Sequence, residues 1–217
     1  MKAPVILVFA KTPSPGRVKT RLCPPLGPVQ ASRLYSAFLD DTLRMVESAR
    51  LVARRVIAYD GDPEWFNPWL DRFELTAQVG VDLGERLWNT FKSVLGNGPV
   101  ICIGSDSPHL DARLIERAVQ MLDEYEVVLG PSTDGGYYLV GLNRAVDLFQ
   151  GLPMSTPKLL QATLARASVH GLQPALLPEQ TDLDYWEDVL ALRAFLPAHS
   201  ANTVAQLEMQ LAQGLAP

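Results

Sequence analysis

The stretch from Val100 to Leu110, VICIGSDSPHL, constrains this chain more than any other. An apolar, β-branched run stops abruptly at Gly104-Ser105-Asp106-Ser107-Pro108. Such a run reads as a strand buried on both faces, the pattern of a parallel sheet sandwiched between helices. In open α/β sheets, ligands bind just beyond the carboxyl ends of the strands. Asp106 therefore stands where a bound cation or a phosphate-bearing ligand would sit. A carboxylate beside an apolar strand also needs a partner, because leaving it unpaired is costly.

The rest of the chain supplies the alternation that such a sheet requires. PVILVFA (4–10), RRVIAYD (54–60), FELTAQV (73–79), EVVLGP (126–131), YYLVGL (137–142) and QPALLPE (173–179) read as extended segments. Between them fall helical patterns at 29–49, 64–70, from Asp82 to about 95, from Asp111 to about 125, and at 156–169. Residues 185–196 and 203–214 complete the helices. Asp82 with Glu85 three residues on makes a capping-box pattern. Gly135-Gly136 ahead of YYLVGL predicts a tight turn and an antiparallel interruption. The expectation is one domain over 1–217, with a three-layer α/β/α, Rossmann-like architecture and a mostly parallel mixed sheet.

Composition narrows the function. The 217 residues carry a net charge of -5, which argues against a nucleic-acid binder with a broad basic surface. Two cysteines, Cys23 and Cys102, make neither a disulfide scaffold nor a zinc site. No stretch is long enough for a membrane span. The start, MKAPVILVFAK, reads as a first strand and not as a signal peptide, so a cytoplasmic protein is expected.

Against that acidic background, the loop KTPSPGRVKTRL (11–22) holds Lys11, Arg17, Lys19 and Arg21 and no acid. It leaves the first strand directly, and Gly16 lets the backbone approach a ligand. Cations on such a loop suit phosphate or diphosphate. The loop is not a Walker A motif, because Pro13 and Val18 stand where glycines are needed, and no G-x-G-x-x-G is present. Further on, DLDYWED (182–188) places Asp182 and Asp184 two apart on an extended segment, pointing the same way. Two carboxylates suit a hard cation. Helix capping by Asp184, with Glu187 three residues on, explains one of them equally well. In GPSTDGGYYL, Asp134 is a candidate for acceptor positioning or general base, or simply a turn residue. Arg86, in VGVDLGERL, is a candidate ligand contact. His109, His170 and His199 lack metal spacing, and no G-x-S-x-G elbow occurs.

Taken in order, KTPSPGRVKTRL, DLGERL, GSDSPHL, GPSTDGGYYLVGL and DLDYWEDV resemble the motifs of an uncharacterised bacterial family. That family is described as glycosyltransferase-like, of the GT-A nucleotide-diphospho-sugar transferase superfamily, and includes arsenosugar-biosynthesis-type glycosyltransferases. More distantly, the chain resembles 2-phospholactate guanylyltransferases and molybdenum-cofactor nucleotidyltransferases. The resemblance spans about residues 4–195. It implies a GT-A fold that binds a nucleoside di- or triphosphate with Mg²⁺ or Mn²⁺. By that likeness Lys19 and Arg21 hold phosphates and stabilise the leaving group. Asp106 is the metal aspartate, and Asp182 or Asp184 the second acidic position. Two departures stand out. The D-x-D of glycosyltransferases is reduced to Ser105-Asp106-Ser107, and Tyr185-Trp186 replace the usual Thr-Pro before the last acidic pair. Three functions follow as expectations. One is a metal-dependent glycosyltransferase using a nucleotide sugar and a small-molecule acceptor. Another is a nucleotidyltransferase passing NMP from an NTP to a phosphorylated or carboxylate acceptor. The last is a non-catalytic nucleotide-binding module.

Overall fold

The computed structural model describes residues 3–95 and 98–212. In chain order the elements are β1 (Val5–Lys11), α1 (Pro28–Ser48), β2 (Arg54–Asp60), β3 (Glu74–Ala77), α2 (Leu83–Val94) and β4 (Val100–Ile103). Then come α3 (Ala112–Met121), β5 (Val127–Pro131), β6 (Tyr137–Leu142), α4 (Leu159–Val169), β7 (Ala175–Leu176), α5 (Trp186–Arg193) and α6 (Ala201–Ala212). The seven strands form one sheet in the order β3-β2-β1-β4-β6-β5-β7. Only β6 opposes its neighbours β4 and β5; the other pairings are parallel. The mixed sheet and the antiparallel strand after Gly135-Gly136 agree with expectation.

Successive residues of the central strands bury on opposite faces. Ile6, Val8, Ile101 and Ile103 pack under α1 and α3 with Leu39, Leu43 and Ile115. Val5, Leu7, Val100 and Cys102 pack on the other face with Leu87 and Phe91 of α2 and Ala167 of α4. This two-sided burial is why the strands read as continuous apolar runs. Burying a side chain such as Phe91, fully enclosed, contributes about 1.5–3 kcal/mol.

A third cluster matters most for the site. Leu22, Leu34 and Phe38 pack against Leu183, Trp186 and Val189. The cationic loop and the segment ahead of α5 are thus held together by apolar packing. Asp41, fully buried on α1, accepts the backbone N–H of Asn202 and of Thr203 at the start of α6. That fixes the last helix to the first.

Several boundaries differ from expectation. The 64–70 segment is a 3-10 helix, Pro63–Trp69, as its internal Pro68 dictates. Extended pairing at 173–179 reduces to two residues of β7, because Pro174 and Pro178 remove ladder donors. Helix α4 starts at Leu159, after Ser155 adopts a left-handed conformation with φ 58. The expected end of the last helix, 213–214, lies outside the described residues.

Candidate active site

The parallel register aligns Val8 with Ile103, where β4 stops while β1 runs on to Lys11, so both strands open at the same end of the sheet. From β1 issues the cationic loop; from β4 issues Gly104-Ser105-Asp106. Tyr35 of α1 ties the two ends. Its hydroxyl accepts the Lys11 backbone N–H at 3.0 Å and shares a hydrogen bond with Ser105 Oγ at 2.8 Å. Burial first, and then the Asp106 charge, push the Tyr35 pKa far up, so the phenol stays neutral.

Lys19 is the hub. Its backbone sits in the left-handed region at φ 45, ψ 41, which a non-glycine residue adopts only when its surroundings hold it there. The side chain is 4% exposed. Its ammonium donates to Leu183 O at 2.8 Å and to Asp184 Oδ1 at 3.0 Å, and lies 3.1 Å from Asp106 Oδ1. Burial alone would lower the lysine pKa, but the carboxylates of Asp106 and Asp184 outweigh it and hold the pKa above the ordinary value. Arg21 adds a bond to Asp184 Oδ2 at 2.7 Å and stacks over Tyr185. Desolvation would raise the Asp184 pKa, yet Lys19 and Arg21 together bring it below the usual range.

The two carboxylates of DLDYWED therefore have separate jobs. Asp184 pairs with the loop cations and does not cap α5. The cap is Tyr185, whose backbone N–H is accepted by Asp188 Oδ2 at 2.9 Å. Asp182 accepts Ser107 Oγ and, at 2.9 Å, Ser132 Oγ, which stitches the turns after β4 and β5 together. Burial raises its pKa, the two hydroxyls partly offset that, and Asp106 adds a like charge. Among the described residues, no three His, Cys, Asp or Glu side chains gather as a metal cage.

A cleft of about 430 Å³ opens over these strand ends. Lys11, Arg17, Lys19 and Arg21 line it together with Asp106 and Asp184, and Phe9 and Leu83 supply apolar wall. The exposed side chains of Lys11 and Arg17 make no ion pair among the described residues. Asp134 also lines the cleft. Its Oδ1 accepts the Gly136 N–H at 2.8 Å, so it shapes its own turn as well as facing the cavity. Gly135 is required there: at φ +87, a Cβ would stand 2.2 Å from Pro157 O.

Two sequence candidates fall outside this arrangement. Arg86 does not line the cleft. Its guanidinium donates to Asp60 Oδ2 at 2.8 Å and to Gly80 O at 3.1 Å, bracing the turn ahead of α2. Gly16, at φ +74, lets the cationic loop turn but does not face the cavity.

Residues 42–156, just over half of the chain, match the model of a family described as an uncharacterized protein conserved in bacteria, DUF2064. The chain belongs to that family. No curated protein matches it. Among solved structures, a Desulfovibrio desulfuricans G20 protein described provisionally as a nucleotide-diphospho-sugar transferase is 34% identical, with a TM-score of 0.87 over 98% of this chain and 96% of that one. A CMP:2-keto-3-deoxy-manno-octonic acid synthetase in complex with CTP is 16% identical, with a TM-score of 0.57 over 89% of this chain and 98% of that one. Rv0371c of Mycobacterium tuberculosis H37Rv, in complex with manganese, is 16% identical, with a TM-score of 0.51 over 88% and 98%. The α/β architecture of this DUF2064 protein is thus the one shared by nucleotide-sugar transferases and nucleotidyltransferases, as the motif resemblance implies.

Sequence reading missed Tyr35 and Gln78 in the DUF2064 cleft. Gln78 Nε2 donates to Ala10 O at 3.2 Å and Ala58 O at 2.8 Å, clamping the ends of β1 and β2. A polar residue closing the FELTAQV pattern was the available signal for Gln78. Tyr35 gave none, since it reads as one more apolar position of α1.

Proposed function

We propose that this DUF2064 protein is a metal-dependent transferase that moves a sugar from a nucleoside diphosphate to a small-molecule acceptor. One observation carries the reading: the loop cations and Asp106 line a single cleft at the carboxyl ends of β1 and β4. The free cations Lys11 and Arg17 suit the diphosphate, whose oxygens they reach as charge-assisted donors. In this reading Lys19 and Arg21 stabilise the charge that grows on the leaving diphosphate. The relative at 34% identity, described as a nucleotide-diphospho-sugar transferase, supports the same reading. A cytoplasmic setting, where nucleotides are made, suits that substrate.

The donor set fits Mg²⁺ or Mn²⁺ through Asp106. Its carboxylate is half-exposed, faces the cleft, and has only Lys19 as a charged partner among the described residues. One or two carboxylates completed by substrate phosphates are the usual protein share of such a site. Asp184 is the second candidate ligand, once phosphates draw Lys19 and Arg21 toward themselves. Asp182 fits least, because both its oxygens already accept hydroxyls. When bound, the ion would neutralise charge on the diphosphate. Asp134 is the candidate to orient the acceptor and take its proton.

Thermal shift with UDP-, GDP-, CDP- and ADP-sugars, in Mn²⁺ and in Mg²⁺, tests this. Stabilisation by at least one of them, followed by release of the nucleoside diphosphate, is the expected outcome. Asp106→Asn is expected to abolish the metal-dependent part of binding. Parent-like nucleotide affinity of that variant in Mg²⁺ would make the metal assignment wrong. A second reading, nucleotidyl transfer, is favoured by the single carboxylate of Ser105-Asp106-Ser107 where glycosyltransferases carry two. Pyrophosphate release from an NTP, without turnover of any nucleotide sugar, would select it.

A further inference from the structure

The cleft continues past Asp184 into a second lobe of about 400 Å³ that shares Arg21, Asp134, Ser155 and Asp184 with the first. Both lobes fall within the roughly 300–1,000 Å³ typical of small-molecule pockets. Their charge differs sharply. The first lobe presents four cations against Asp106, Asp134 and Asp184, and two of those cations, Lys11 and Arg17, make no ion pair among the described residues. The second presents Asp134, Asp182, Asp184 and Asp188 against Arg21 alone. That arginine pairs with Asp184 at 2.7 Å and lies over Tyr185, and in the proposed transfer it serves the diphosphate of the first lobe, so it is not left over for an acceptor anion. Thr133, Ser155, Thr156 and Thr181 add hydroxyls to the same lobe. Two carboxylate oxygens, Asp134 Oδ2 and Asp188 Oδ1, have no donor among the described residues, since the bonds to Gly136 and Tyr185 use the other oxygen of each.

From this we infer that the second lobe is the acceptor site, and that the acceptor is a neutral or amino-bearing polyol instead of a phosphorylated or carboxylated compound. The inference rests on the proposed sugar transfer. Carboxylates with free lone pairs accept O–H and N–H groups and repel phosphate and carboxylate. Asp134, on the wall between the lobes, faces donor and acceptor alike. In the transfer, the acceptor oxygen bonds to the anomeric carbon. The bond from that carbon to the diphosphate oxygen breaks, and its electron pair leaves with the nucleoside diphosphate. The proton of the acceptor hydroxyl passes to the Asp134 carboxylate.

Saturation-transfer NMR with a matched hexose series tests the acceptor class: glucose, glucosamine, gluconate and glucose 6-phosphate. Each is added to the protein alone and to the protein saturated with its best nucleoside diphosphate and Mn²⁺. Glucose and glucosamine are expected to give signal, and gluconate and glucose 6-phosphate about tenfold less in the nucleotide-filled protein. Asp134→Lys should raise the glucose 6-phosphate signal relative to glucose. Thr133→Trp, which fills the lobe from an exposed position, should remove the glucose signal. Nucleotide titration of the same samples reads the donor lobe separately. If no nucleoside diphosphate binds, the proposed donor chemistry fails, while the series without nucleotide still reports on the acceptor lobe. Equal or stronger signal from the phosphate or the carboxylate, or none from all four sugars, overturns the inference.

Discussion

Four cations on one loop look alike in sequence, and the structure divides them into two pairs. Lys19 and Arg21 are engaged: one is buried among three oxygens, the other donates a single hydrogen bond to Asp184. Lys11 and Arg17 are exposed and face the cleft without an ion pair among the described residues. The inner pair joins three chain segments, the first loop, the turn after β4 and the approach to α5. The outer pair is left for something the chain does not contain. A cation held by its own protein shapes a site, whereas an unpaired one in a cleft advertises for an anion.

Removing the inner hub should have the largest effect. Lys19→Met leaves Asp106 and Asp184 facing each other. We expect a stability loss of about 2 kcal/mol, below the 3–5 kcal/mol of a fully buried pair because water screens the half-exposed Asp106. Urea unfolding measures it, and a loss under about 0.5 kcal/mol would erase the distinction between the pairs. The outer pair should behave in the opposite way. Lys11→Ala and Arg17→Ala should each weaken nucleoside diphosphate binding about tenfold, the worth of one hydrogen bond to a charged group. Calorimetric titration and thermal melts on the same samples separate affinity from stability, and an unchanged melt is expected.

Asp182→Asn comes next. It should cost about 1 kcal/mol, since Asn still offers one acceptor to the two serines, and should keep metal-dependent nucleotide binding. Loss of Mn²⁺ dependence in that variant would return Asp182 to the metal ligands. Smaller still is a pH effect. The Lys19 pKa is raised in the native state, so its stabilising contribution is complete below 10.5 and is lost as pH rises through the native value. Melts between pH 9 and 11.5 should show the gap between parent and Lys19→Met narrowing above 10.5. A gap that stays constant would mean the ammonium does not titrate with folding.

Much of the fold was legible because its central strands are apolar on both faces, as VICI and VILVFA are. The antiparallel strand was legible from two glycines. Edge elements were not: β7 has two prolines beside it, and pairing there depends on β5 alone. At the site, residue type and loop position pointed to Lys19, Arg21, Asp106 and Asp184, which the structure gathers along one cleft. What each side chain touches could not be read locally. Asp184 looked like a cap because it precedes a helix, yet the cap is Tyr185, whose backbone N–H is accepted by Asp188. Arg86 opens a helix after a glycine, and its pairing with Asp60, distant in sequence, could not be read locally. Lys19 meets Asp184 across 165 positions, a separation only the packing of Leu22 and Phe38 on Leu183 and Trp186 closes.

The reversed strand β6 has a geometric consequence. Strands in a sheet lie about 4.8 Å apart. With β6 wedged between β4 and β5, the turn bearing Asp134 hangs from the two strands beyond the one that delivers Asp106. The sheet thus sets the order in which the two turns leave it: the turn with Asp106 follows β4, and the turn with Asp134 joins the next two strands over. The two carboxylates are carried on different loops whose roots are held by one hydrogen-bonded ladder.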